Sequence, residues 1–209
     1  MHISFSQILR ASILFCRNTV GCINNPYVTY RKLADEKTEW GSTIYILLFS
    51  AGYFLFASLV RTGLRNPFLL TIQFNTLFLG GLLGFLFFVL SLFLLGRLVG
   101  STGSLKSLCI LWAYSLLPTL MWFFTTSFLY ILLPPPRTVS FLGKLYSVLF
   151  FSFSLALFLW KVILYYLTLR FGLRIDLPRI MFVSVAVVLE VVGFSLIMYR
   201  LAIFRIPFL

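Results

Sequence analysis

Long stretches of this chain carry no charge, and that absence limits the fold more than any motif does. Residues 42–60 (STIYILLFSAGYFLFASLV) stop only at Arg61, and residues 68–96 hold no ionisable group before Arg97. About 20 apolar residues of helix, rising ~1.5 Å each, cross a hydrocarbon core. Of the 209 residues 61% are hydrophobic and 11% charged, whereas a soluble domain carries roughly 25% charged residues. Water could not cover so much apolar surface, so the solvent is lipid. In lipid every backbone N–H and C=O must be satisfied within the protein, which leaves helices for spans of this length.

The pattern predicts an all-α, polytopic membrane bundle of five transmembrane helices, preceded by an amphipathic interfacial helix. Residues 68–96 open with Thr71, Gln73, Asn75 and Thr76, which places the second span at about 77–95. The others fall at about 42–60, 107–133, 147–169 and 180–199, with Pro134, Pro135 and Pro136 ending the third. The chain thus divides into an N-terminal segment, 1–41, and a five-span domain, 42–209. From Ser6 to Asn18, Ser6, Gln7, Arg10, Arg17 and Asn18 share one helical face and Phe5, Ile8, Phe15 and Cys16 the other. Asn25-Pro26 breaks that helix, and a short polar segment with Asp35, Glu36, Lys37 and Glu39 leads to the first span. Arg10 and Arg17 interrupt the first apolar stretch, so it does not read as a signal peptide.

Seventeen Lys and Arg against five acids give a net charge of +12. The bases sit between apolar runs, which points to anionic lipid head groups and away from nucleic acid. Ten of them fall on the side of the N-terminus and six on the other. The positive-inside rule then puts the N-terminus in the cytoplasm and the C-terminus outside.

Catalysis lacks its usual materials. His2 is the single histidine, so no Ser–His–Asp triad, bis-histidine haem or histidine-rich metal site can be built. Cys16, Cys22 and Cys109 form no C-x-x-C pair. The stretch Gly100-Ser-Thr-Gly-Ser-Leu-Lys106-Ser107 has the wrong spacing for a phosphate-binding loop and follows no strand, so it reads as a glycine-rich turn. No catalytic residue, cofactor or metal is expected.

Packing signals are clearer. Gly80 and Gly84 form a G-x-x-x-G that admits close approach within the bundle, with dimerisation as the alternative. Pro118 should kink the third span and free a carbonyl near Tyr114. Lys161 and Glu190 lie within the fourth and fifth spans. A lone charge at that depth costs about 2.5–3.5 kcal/mol on insertion scales. An antiparallel hairpin would bring the two to similar depth, so a structural charge pair is the expected arrangement. Snorkelling of Lys161 and an ion relay are the alternatives.

The glycine loop at Gly100, followed by Ala113-Tyr114-Ser-Leu-Leu-Pro118, resembles the Yip family of Ypt/Rab-interacting membrane proteins. Asn25-Pro26-Tyr-Val-Thr-Tyr-Arg-Lys-Leu-Ala before the first span, and Trp160 in the fourth, extend the likeness over about 25–199. The resemblance implies five spans with a cytoplasmic N-terminus. For eukaryotic members it also implies small-GTPase binding and vesicle traffic at Golgi and endoplasmic reticulum. Those members carry a longer N-terminal region, a departure that points away from GTPase binding and toward a bacterial-type member in a cell inner membrane. The expected function is a non-enzymatic scaffold or adaptor that accompanies other membrane proteins, in a larger complex. A membrane subunit of a transport complex for lipid or small solute is the alternative.

Overall fold

The computed structural model describes residues 5–35, 41–63, 66–132 and 141–203. Among these, every regular element is helical. Expectations resting on His2, Glu36, Lys37, Glu39, Leu133 and the three prolines at 134–136 lie outside the described residues.

Two helices precede the spans. Helix α1 (Phe5–Asn24) and helix α2 (Pro26–Asp35) meet at Asn25, whose carbonyl accepts from the Thr29 N–H at 3.1 Å and the Thr29 hydroxyl at 3.0 Å. Pro26 opens α2, where its missing N–H costs nothing. The turn is tight because Gly21 has no side chain: a Cβ there would lie 2.5 Å from the Thr29 hydroxyl. A polar segment was expected after Asn25. It is instead a helix, with Tyr30 and Leu33 buried in the core.

The spans follow as α3 (Gly41–Thr62), α4 (Pro67–Leu98), α5 with α6 (Leu105–Ser115 and Leu117–Leu132), α7 (Phe141–Leu167) and α8 (Leu177–Arg200). Among the described residues, five helices, with α5 and α6 taken together as one, are long and apolar enough to cross a membrane. Gly63 and Gly100, at φ of 68° and 84°, follow the ends of α3 and α4 in a conformation L side chains avoid. Helix α4 starts well before the expected boundary at 77. Asn66 caps it by accepting from the Leu69 N–H at 3.3 Å. Thr71 and Thr76 donate to the Pro67 and Ile72 carbonyls at 2.8 and 2.9 Å. Threonines that satisfy themselves this way remain helical despite their polarity.

Helix α5 is the hub. Its residues from Ile110 to Ser115 are all buried, and α2, α3, α4, α7 and the turn after α7 pack around it. That turn is a π-helix, Thr168–Leu173, closed by Arg174 in the left-handed conformation at φ 55°, ψ 47°. The glycine loop after α4 docks on it. Ser101 Oγ and the Gly103 N–H donate to the Leu173 carbonyl at 2.5 and 3.2 Å. A Cβ on Gly103 would overlap the Gly172 carbonyl. The glycine-rich stretch is therefore a docking turn between two backbones. Helix α8 packs on α4 and meets α7 beside the turn, where Tyr165 Oη and Ser184 Oγ are 3.2 Å apart.

Candidate functional site

Pro118 decides the geometry at the middle of the bundle. It has no N–H for the carbonyl of Tyr114, and its ring crowds that carbonyl. The third span accordingly breaks: α5 ends at Ser115, Leu116 forms a turn, and α6 resumes at Leu117. The expected kink is an interruption one residue long, at Leu116, which itself keeps right-handed helical angles of φ −77° and ψ −15°. The Leu116 N–H turns back to the Ala113 carbonyl at 3.0 Å, and Ser115 Oγ donates to the Trp112 carbonyl at 2.7 Å.

Lys161 fills the remaining need from α7. Its ammonium donates to the Ser115 carbonyl at 2.8 Å and sits 5.3 Å from the centroid of the Trp112 ring. A cation at the C-terminal end of α5 meets aligned carbonyl dipoles and an electron-rich ring face together. This is a helix cap supplied by another helix.

The expected pairing of Lys161 with Glu190 does not form. Glu190 faces α4, where Ser91 Oγ lies 2.6 and 2.5 Å from its two carboxylate oxygens. The reason is topological. Helices α7 and α8 are consecutive, but α8 leans on α4 while α7 lies along α5 and α6. Helices adjacent in sequence thus give the two charges different neighbours.

The other marked residues fall into two groups. Gly84 faces α8, where a Cβ would come 2.8 Å from the tip of the Phe194 ring, and Gly80 is buried beside it. Gly81, which the glycine pattern left aside, receives Phe54 of α3, 2.5 Å from where its Cβ would be. Ring-into-notch packing thus takes the place of backbone against backbone. Pro26, Tyr114 and Trp160 belong to the joint between the N-terminal pair and the bundle. Asn18 Nδ2 of α1 donates to Tyr114 Oη at 3.3 Å, and Trp160 Nε1 donates to the Cys22 carbonyl at 3.0 Å. From α2, Tyr30 Oη donates to the Leu111 carbonyl at 3.4 Å, and Thr168 Oγ1 reaches the same carbonyl at 3.3 Å. Tyr114, Cys22 and Tyr30 are fully buried. Burial pushes the Cys22 thiol up to about 12 and the Tyr30 hydroxyl well above its ordinary value, because neither anion would be solvated there.

Trp112, Ser115 and Ser91 complete these contacts, and the sequence alone did not single them out; Asn18, which the helical pattern put on the polar face of α1, is buried against Tyr114. A serine three residues before a proline was the available signal for Ser115. Nothing in the local pattern marked Ser91. Among the described residues, no three His, Cys, Asp or Glu side chains gather where they could hold a metal ion. The arrangement stabilises a broken helix, satisfies intramembrane polar groups and fastens an N-terminal hairpin to the spans.

Compared with known proteins, residues 20–199 match the Yip1 domain. No curated protein and no solved structure matches the chain.

Proposed function

The chain belongs to the Yip1 domain family, and from that premise we propose that it is a non-enzymatic membrane scaffold that organises or accompanies other membrane proteins. The family is one of multi-pass proteins related to membrane trafficking. One observation carries the scaffold reading: the two charges within the spans, Lys161 and Glu190, are engaged inside the bundle, while the outer faces of α7 and α8 are largely apolar and exposed. Lys161 and Glu190 each have a partner within the bundle. Helices α7 and α8 expose Phe151, Phe158, Phe182 and Leu189 along their lengths, apolar surfaces against which the spans of a partner can pack.

The reading places the N-terminal pair on the cytoplasmic side of a bacterial inner membrane. The positive-inside rule supports the orientation. Among the described residues, Arg10, Arg17, Arg31, Lys32, Arg97, Lys106, Arg170, Arg174 and Arg179 belong to the end with the glycine loop and π turn. Arg61, Lys144 and Arg200 belong to the other.

Photo-crosslinkers at Phe151 and Phe182, in native membranes, test the scaffold. Discrete adducts with other membrane proteins are the expected result. Adducts with lipid alone, together with solute flux in vesicles that Glu190→Gln abolishes, would replace the scaffold by a transport subunit.

A further inference from the structure

Helix α1 buries one side and leaves the other open, and the open side is apolar. Its inward residues are Ser12, 2.7 Å from Tyr45 Oη, Phe15, stacked on Tyr45 at 5.6 Å, and the Asn18 and Cys22 contacts already given. On the outside, Leu9 is 52%, Ile13 60%, Val20 55% and Ile23 53% exposed, with Cys16 exposed between them. At about 100° per residue these five fall within an arc of roughly 80°. Arg10 and Arg17, also exposed, line one edge of that arc, and α1 contains no acid.

The contacts of α1 give its direction. It touches Tyr45 near the start of α3, Tyr114 at the end of α5, and Trp160 about two turns before the end of α7. It therefore runs across three spans. On α7, Leu159, Val162 and Ile163 flank Trp160 and are themselves open. The stripe on α1 thus ends, at Ile23, beside a helix whose exposed residues are also apolar.

We propose that α1 is an in-plane helix embedded in one leaflet, with Leu9, Ile13, Cys16, Val20 and Ile23 against acyl chains and Arg10 and Arg17 against anionic head groups. The occupant of the open face is the lipid surface, for two reasons. The stripe ends beside a helix whose exposed residues are also apolar, and a purely basic edge complements phosphate. The proposal concerns lipid contact alone and stands whether or not the chain acts as a scaffold.

Cys16 supplies the probe position, since Cys22 is buried. The full chain, with Cys109→Ala, is labelled at Cys16 with the fluorophore NBD. It is reconstituted in phosphatidylcholine vesicles with or without phosphatidylglycerol. Spin-labelled phospholipids should quench the probe several-fold more than aqueous iodide. Phosphatidylglycerol should deepen the protection, and Arg10→Gln with Arg17→Gln should remove that increment. Iodide quenching as effective as lipid quenching would overturn the proposal, because α1 would then lie in water. Protection from both quenchers would also overturn it, since protein would then cover the stripe. Equal protection with and without phosphatidylglycerol would refute the head-group assignment.

Discussion

Replacing Lys161 by methionine keeps an unbranched stem in place and removes the ammonium that caps α5. The reference state matters for the magnitude. In a denatured but inserted chain Lys161 snorkels, so its insertion cost is present on both sides and largely cancels. What remains is the bond to the Ser115 carbonyl at 2.8 Å and the contact with Trp112. A hydrogen bond involving a charged group is worth about 1.5–3 kcal/mol, and the acceptor left behind is stranded in low dielectric. Lys161→Met should therefore cost about 1.5–3 kcal/mol in a reversible detergent-unfolding titration. The mechanism makes a sharper demand. Pro118→Ala restores an N–H and removes the ring, so the third span can close and Ser115 can find its partner at Thr119. In that background Lys161→Met should cost less than about 1 kcal/mol, and the difference is the coupling between cap and break. Paired with Glu190→Gln, by contrast, the Lys161→Met loss should add to within about 0.5 kcal/mol, since the two residues share no partner. Equal losses for Lys161→Met with and without Pro118 would refute the capping argument. Strong coupling to Glu190 in its place would reinstate a charge pair.

Four further outcomes are expected. Ser91→Ala removes the hydroxyl that meets Glu190 at 2.5–2.6 Å and should cost about 1 kcal/mol in the same titration; no loss would mean that Glu190 is otherwise solvated. Gly103→Ala drives a methyl into the Gly172 carbonyl and should sharply lower the monodisperse yield. Gly193→Ala, with nothing within 4 Å of the added carbon, should fold normally and gain up to about 1 kcal/mol from helix propensity. With its thiol pushed up to about 12, Cys22 is only about one part in 10⁴ thiolate at pH 8. Maleimide at that pH should leave it unmodified in the folded chain and react with it on unfolding, and peptide mass spectrometry reads both.

How much was legible in the sequence depends on the range over which each feature acts. The five apolar helices were legible because transfer into hydrocarbon sums over about 20 consecutive residues and needs no knowledge of neighbours. Asn25-Pro26 and Pro118 were legible as breaks because a missing N–H acts on its own helix. The start of α4 was not, since Thr71 and Thr76 read as polar until their hydroxyls are seen bonded to carbonyls one turn back. Nor was helix α2, whose polarity hides an inner face with Tyr30 and Leu33.

The partners of the intramembrane charges lay wholly beyond the sequence. Composition and depth required that Lys161 and Glu190 find polar company, and that requirement holds in the structure. Which company was settled by how the helices are arranged around α5, with α8 turned to α4 and α7 along the broken third span. A hydrogen bond is satisfied by whatever donor or acceptor stands within about 3 Å. Only tertiary packing brings Ser115, from one span, and Ser91, from another, to that distance.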